Sequence, residues 1–297
     1  MQKRNVLNSP RLLELKKERR RAVLNKILVS LLGFFIVFFL LAYLSNLKSL
    51  NVTSVEIYGN NVVDTAILKD NVTEQIKGKY LWLFPKTNVF LYPNNSIKRG
   101  LWDKFKRLKD ISVSTKDNKI LVVNLTERVA KYTWCGNSLI TTEDQKCYFL
   151  DDDGYVIDEA PYFSGEVYFK FYGLTAQAGL TSAAEPLGSY FSKDKFKQLV
   201  LFKDVLISIN LKPVALYVTN NKEVEIYLSK GNTIPTGGPK IIFKIDADFQ
   251  NVAENLEAAL NAEPLKTKFK TKYTSLEYLD LRFGNKVYDR FSTTLVK

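Results

Sequence analysis

The amino-acid sequence predicts an α+β protein hung on a single N-terminal transmembrane helix. Three observations predict it. Residues 27–45 form an uninterrupted apolar run, residues 48–128 give a β-α-α-β-β order of periodic segments, and the remainder is strand-rich with two amphipathic helical stretches. The expected parts are a basic tail at 1–26, the membrane helix at 27–45, a first exported domain at 46–128 and a second at 129–297.

The bulk composition is that of a folded chain, with 46% hydrophobic and 25% charged residues over 297 positions. Its net charge of +12 is unevenly placed. Nine Lys/Arg against Glu14 and Glu18 give residues 1–26 a charge of +7, which leaves +5 for all the rest. The exported part is therefore not expected to bind nucleic acid. The chain contains no histidine. No Ser-His-Asp triad, Cys-His dyad or His-ligated zinc site can be built from it, and the expectation is a non-enzyme with no cofactor or metal.

The apolar run reads ILVSLLGFFIVFFLLAYLS from Ile27 to Ser45, without charge or proline. Nineteen residues reach about 28 Å as a helix, close to the thickness of a bilayer's hydrocarbon core. A cleaved signal peptide would have a shorter apolar region and a small-residue cleavage site; Tyr43-Leu44-Ser45-Asn46 is a poor one. Lys16, Lys17, Arg19, Arg20, Arg21 and Lys26 precede the run, while Lys48 is nearly alone after it. The positive-inside bias predicts a cytoplasmic N-terminus and an exported remainder.

In the first exported domain, Val52–Tyr58 alternates as a half-buried strand, with Val55 and Ile57 on one face, and Gly59-Asn60-Asn61 ends it. Asp64 is placed to cap a helix carrying Leu68, Val72 and Ile76, with Gly78 to close it. An aromatic-rich loop follows at Tyr80–Tyr92, then a helix from about Asn95 with Ile97, Leu101 and Phe105 on one stripe. Ile111–Thr115 and Lys119–Thr126 read as strands around an Asp117-Asn118 hairpin turn. This element order just outside a membrane anchor, with Gly59-Asn60 after the first strand and Glu127-Arg128 after the third, resembles a POTRA domain of the FtsQ/DivIB type.

In the second domain, Tyr148–Ile157 reads as strand, acidic turn and strand. Asp151-Asp152-Asp153 invites a calcium reading. With Gly154 at the sixth position of an EF-hand loop, however, Phe149 and Ala160 stand where acids are needed. A solvated hairpin turn is the expectation. A helix at Asp194–Ile209 carries Phe196, Leu199, Val200 and Leu206; strands follow at Val214–Val218, Val224–Leu228 and Lys240–Ile245, with Gly-Asn and Gly-Gly-Pro turns between the later ones. A second helix at Phe249–Ala262 carries Val252, Leu256 and Leu260, and a strand pair is expected at Leu276–Leu281 and Lys286–Phe291. Cys135 and Cys147 flank a hairpin in an exported domain; a structural disulfide is the favoured reading and two thiols the alternative. Four Asn-X-Ser/Thr sites, at Asn51, Asn71, Asn94 and Asn124, carry no expectation in a bacterial source.

Glu127-Arg128, Leu150-Asp151 with Asp153-Gly154, and Asp280-Leu281-Arg282-Phe283 together are similar to the β-domain of the FtsQ/DivIB family. Where the family often has proline after the Glu-Arg pair, this chain has Val129-Ala130. The resemblance implies a bitopic, non-catalytic division protein at the septum of the cytoplasmic membrane. It implies binding to small coiled-coil partners of the FtsB/FtsL kind and regulation of septal peptidoglycan synthesis. It also implies that the closing strand binds the partner by strand addition, through Arg282, Phe283, Gly284, Asn285, Lys286, Val287 and Phe291; packing of Phe283 and Val287 in the core is the alternative. The basic stretch Lys98, Arg99, Lys104, Lys106, Arg107 and Lys109 is read as a solvated face, with acidic partners or membrane phosphates as the alternative. Two other functions compete: a POTRA-type export chaperone, and a cell-wall hydrolase using Asp151, Asp153 or Asp280.

Overall fold

The computed structural model describes residues 10–139, 145–163, 165–173, 186–230 and 238–292. The chain is mixed α+β and divides into two compact units, Met1–Lys104 with Asp110–Thr126 and Phe105–Lys109 with Glu127–Lys297. The anticipated turn residues Gly231, Asn232 and Gly237, and tail residues 1–9, lie outside the described residues.

The first unit opens on α1, Pro10–Ser45. From Lys16 this helix is long and apolar enough to cross a membrane, and its most apolar window is only 6% buried. A core helix of a soluble protein buries that surface. The helix starts well before the apolar run, because the segment after Pro10 is rich in Leu, Glu, Lys and Arg and holds no glycine.

The strand β1, Ser54–Tyr58, is followed by α2, Thr65–Ile76. Asp64 caps α2, its Oδ1 accepting from the backbone N–H of Ala66 at 2.6 Å and Ile67 at 3.4 Å. A small antiparallel ribbon, β2 (Lys79–Tyr80) with β3 (Phe84–Pro85), stands where the sequence predicts a loop. Then come α3, Asn94–Lys104, and two longer strands, β4, Leu108–Lys116, and β5, Ile120–Glu127. Asp117 and Asn118 both take φ of +53 between them, as a tight primed turn requires. The sheet order is β1-β5-β4, with β1 parallel to β5 and Val55 opposite Leu121. Leu68, Val72, Ile76, Ile97, Leu101, Leu121, Val123 and Leu125 are buried, so the four-residue stripes of both helices form the core with one face of β5.

The second unit is built on a nine-stranded sheet. Its strands are β6, Tyr132–Trp134; β7, Cys147–Leu150; β8, Val156–Ala160; and β9, Lys170–Gly173. After α4, Phe196–Ser208, come β10, Pro213–Val218; β11, Glu223–Leu228; and β12, Lys240–Lys244. Two helices, α5 (Phe249–Asn261) and α6 (Leu265–Lys272), precede β13, Leu276–Phe283, and β14, Lys286–Phe291. The order across the sheet is β14-β13-β12-β11-β10-β9-β6-β7-β8. Most neighbours are antiparallel; β9 is parallel to both β10 and β6, and β12 to β13. Cys135 and Cys147 are bridged, tying the end of β6 to the start of β7. Closing so short a loop stabilises a fold by up to about 3 kcal/mol.

Among the described residues this unit has three helices, one more than the expected two. The sequence of α6, LKTKFKTK, has four lysines and buries only Leu265, so its apolar period is too thin to read. In α4 the apolar face includes Phe202, which is buried, while Val200 is half-buried. The main core lies on one sheet face, where Phe196, Leu199, Phe202 and Leu206 meet Phe171, Phe243, Leu256, Leu279 and Leu281.

A prediction follows for the first unit. Gly59 takes φ of +88, and a Cβ there would lie 1.9 Å from the carbonyl oxygen of Leu125. Gly59→Ala therefore lowers the unit's stability by about 2 kcal/mol or more, whereas Asp64→Ala, which removes only a cap, costs about 1 kcal/mol. Urea unfolding followed through this unit checks both; equal effects would contradict the close approach at Gly59.

Candidate partner-binding edge

Strands at the two ends of a sheet carry backbone groups that face away from any neighbour. The nine-stranded sheet treats its two ends differently. Beside β8, the backbone of Val156 donates to Ser189 at 2.9 Å and accepts from the N–H of Gly188 at 2.9 Å, so residues 188–189 cover the start of that edge. Asp158 of β8 is also held by Arg107 at 2.6 Å. At the other end, β14 pairs with β13 on one side only, among the described residues.

The sequence places β14 by simple alternation. Val287 and Phe291 point inward and pack against the main core. Lys286, Tyr288 and Arg290 fall on the opposite face and are exposed. Asp289 lies at the inner rim, where Lys268 of α6 reaches it at 3.3 Å. The hairpin turn is Gly284-Asn285, closed by Phe283 opposite Lys286, with Gly284 at φ of +63. On the outer face Phe283 (57% exposed) and Tyr288 (50% exposed) meet edge to face at 5.4 Å. Tyr288 was not among the residues expected to bind; counting by two from Lys286 places it on the same face as Lys286.

Behind the turn lies a cleft of about 300 Å³ between α5 and the hairpin, lined by Lys244, Asp248, Asn251, Asn255, Leu281 and Gly284. Asn255 Nδ2 donates to the carbonyl of Gly284 at 3.3 Å, which fixes the turn against α5.

The expected binding residues therefore divide. Phe283, Gly284, Asn285 and Lys286 are exposed at the turn. Val287 and Phe291 serve the core with their side chains and leave only backbone to the edge. Arg282 is engaged within the fold. Its Nε and Nη2 reach the two oxygens of Asp280 at 2.9 and 2.5 Å, and its Nη1 reaches Glu223 at 2.6 Å. Asp280 is 5% exposed. Burial alone would raise its carboxyl, but the hydrogen bonds and charge of Arg282 outweigh burial and hold it below its ordinary value.

The acidic turn is more buried than expected. Asp151 is 1% exposed; its Oδ1 accepts from the backbone N–H of Asp153 and Tyr155 at 2.9 Å each, and its Oδ2 meets Arg128 at 2.5 Å. The Arg128 guanidinium also lies 4.0 Å from the Tyr155 ring centre. Asp152 is matched by Lys131 at 3.6 Å, and Asp153 by Lys197 at 2.9 Å and Lys109 at 3.8 Å. The hydrogen bond and charge of Lys197 hold the Asp153 carboxyl below its ordinary value against burial. The three carboxylates lie within 4.8 Å of one another, but each already has a cationic side chain, so the turn reads as an ion-pair network. Asp280 lies six strands away across the sheet, about 29 Å at ordinary strand spacing. It cannot form a catalytic pair with Asp151 or Asp153. Of the basic stretch, Arg107 and Lys109 meet Asp158 and Asp153, while Arg99 is exposed.

No protein-family model matches the chain, and no curated protein matches it.

Removing Arg282 leaves Asp280 buried without its counter-ion. Arg282→Gln is expected to cost about 2 kcal/mol at neutral pH. In the native protein the lowered Asp280 pKa contributes stability above the unfolded value of 3.8, and that contribution is lost as pH falls through the lower folded value. The gap between native and variant therefore narrows in acid. Unfolding at pH 7 and pH 3.5 checks this; a gap independent of pH would contradict the pairing.

Proposed function

We propose that this chain is a membrane-anchored, non-catalytic scaffold of the FtsQ/DivIB kind. In this reading α1 crosses the cytoplasmic membrane with its N-terminus inside, and the first unit is a POTRA domain. The second unit binds a small coiled-coil division protein of the FtsB/FtsL kind outside the membrane, and the assembly positions and regulates septal peptidoglycan synthesis.

The observation that carries the reading is the edge of β14, which among the described residues pairs with β13 on one side only. An added strand would gain a row of backbone hydrogen bonds there, and alternate side chains would find the Phe283–Tyr288 pair. The charged side chains of Lys286 and Arg290 on this strand discourage pairing between two copies while admitting a partner with acidic positions. The order α1-β1-α2-α3-β4-β5, with the small β2–β3 ribbon inserted between α2 and α3, and the segment Asp280-Leu281-Arg282-Phe283 are the features that favour the family resemblance. The absence of histidine from the sequence favours a scaffold over most acid–base enzymes.

Capture of candidate coiled-coil partners by the full chain in detergent tests the proposal. Val287→Pro removes one backbone donor from the edge, and Lys286→Glu reverses a charge beside it. Both are expected to lower capture at least several-fold while the far-ultraviolet spectrum stays native. Undiminished capture by a folded Val287→Pro variant would remove strand addition. Release of muropeptides from peptidoglycan would favour the hydrolase instead.

A further inference from the structure

The tip of the β2–β3 ribbon breaks the ordinary rule for its turn. Leu81 and Trp82 take φ of +49 and +60, and the N–H of Leu83 donates to the carbonyl of Tyr80 at 3.1 Å. Leu81 and Trp82 are the two central residues of this β-turn, and two successive positions at positive φ favour Asn and Gly. This chain places two large apolar side chains there instead, and neither is covered: Leu81 is 73% exposed and Trp82 is 92% exposed. Phe90, in the turn that follows β3, is 79% exposed. A strained turn that turns its largest apolar groups outward gains nothing in water.

The ribbon is fixed to the last turns of α1. The ring of Phe38 lies 5.3 Å from that of Phe84 in β3. Phe38 is seven residues before the end of α1, which sets Phe84 about 10 Å back along the helix from its exit. The Asn46 side-chain amide donates to the carbonyl of Leu83 at 2.8 Å, and Lys79 Nζ donates to Asn46 Oδ1 at 3.0 Å. Asn88 and Asn51 donate to the carbonyl of Ser45 at 3.1 and 2.9 Å, completing helix-end carbonyls that have no partner within the helix. These contacts hold the ribbon beside a helix segment that is itself apolar and exposed.

We propose that the β2–β3 tip inserts into the interfacial layer of the same bilayer that α1 crosses, with Leu81, Trp82 and Phe90 among the acyl-chain boundary. Lys79, Lys86 and Lys48 stand at the level of the lipid phosphates. The inference rests on reading α1 as a membrane helix. Trp and Tyr favour the interface because the ring is apolar and its N–H or O–H meets headgroups, and lysine stems reach past them to phosphate. A second anchor would fix the rotation and tilt of α1 and its attached ribbon in the bilayer, which a single helix leaves free.

The full chain reconstituted in phosphatidylcholine–phosphatidylglycerol vesicles carrying brominated acyl chains tests this. Flotation and resistance to alkaline carbonate first report whether α1 anchors the chain. In chains that float, the bromolipid is expected to quench tryptophan emission, and most of that quenching is lost in Trp82→Phe, while iodide has little access to Trp82. Emission from Trp82 that responds to iodide and not to bromolipid, in chains that still float, overturns the insertion and leaves the anchor standing. Failure to float overturns the anchor and the insertion together. The variant Leu81→Asn/Trp82→Gly supplies the residues the turn itself prefers. It is expected to keep or raise the thermal midpoint while Phe90 loses its shielding from water-borne labels; a lowered midpoint with unchanged shielding shows a purely structural role and overturns the proposal.

Discussion

Burial of one face of the nine-stranded sheet beneath α4, α5 and α6 is the constraint on which the second unit depends. A sheet with an apolar face must cover it, and here a cluster running from Phe171 and Phe243 to Leu279 and Leu281 does so against Phe196, Leu199, Phe202 and Leu256. The position of β13 follows from that burial, with Leu276, Leu279 and Leu281 in the core. Once β13 is fixed, the two-residue turn at Gly284-Asn285 leaves β14 one place to lie. Its inner side chains, Val287 and Phe291, join the rim of the same core, and its outer side remains open among the described residues.

Polar groups then set what that edge can do. Arg282 bridges Asp280 and Glu223, so a guanidinium near the edge ties β13 to β11 across the strand between them. Fully paired charges of this kind contribute rigidity more than affinity. The cost of removing one partner is high because the other stays buried. At the far end of the sheet Arg128 and Asp151 make a similar brace beneath the acidic turn. Phe283, Lys286, Tyr288 and Arg290 are exposed along a strand that has no neighbour on its outer side among the described residues, a combination suited to a partner that arrives as an extended strand.

Elements with strong local chemistry were legible in the sequence. The cap at Asp64, the stripe Leu68-Val72-Ile76, the Asp117-Asn118 turn and the final hairpin all stand where periodicity and turn residues place them. Elements that depend on distant pairing were not. Four residues, Lys170–Gly173, form β9 between β6 and β10, a run too short to hold without those neighbours. The lysine-rich α6 is held by Leu265 and Phe269 and by the end of α5, so its helicity owes more to packing than to pattern. The turn at Leu81-Trp82 was missed because its residues contradict its geometry. The acidic turn was placed correctly but taken as solvated, since its counter-ion, Arg128, comes from 23 positions earlier. For the candidate edge, the strand and its turn were readable, whereas the engagement of Arg282 needed the third strand, β11, which sequence alone does not bring near.

The central claim is that a partner adds a strand to β14. Amide hydrogen exchange of the full chain, with and without a coiled-coil partner that it captures, tests this most directly. New protection concentrated in residues 286–291, with the β8 edge unchanged, is the predicted result. Stable capture that leaves exchange across β14 unaltered would contradict the account and move the interface elsewhere.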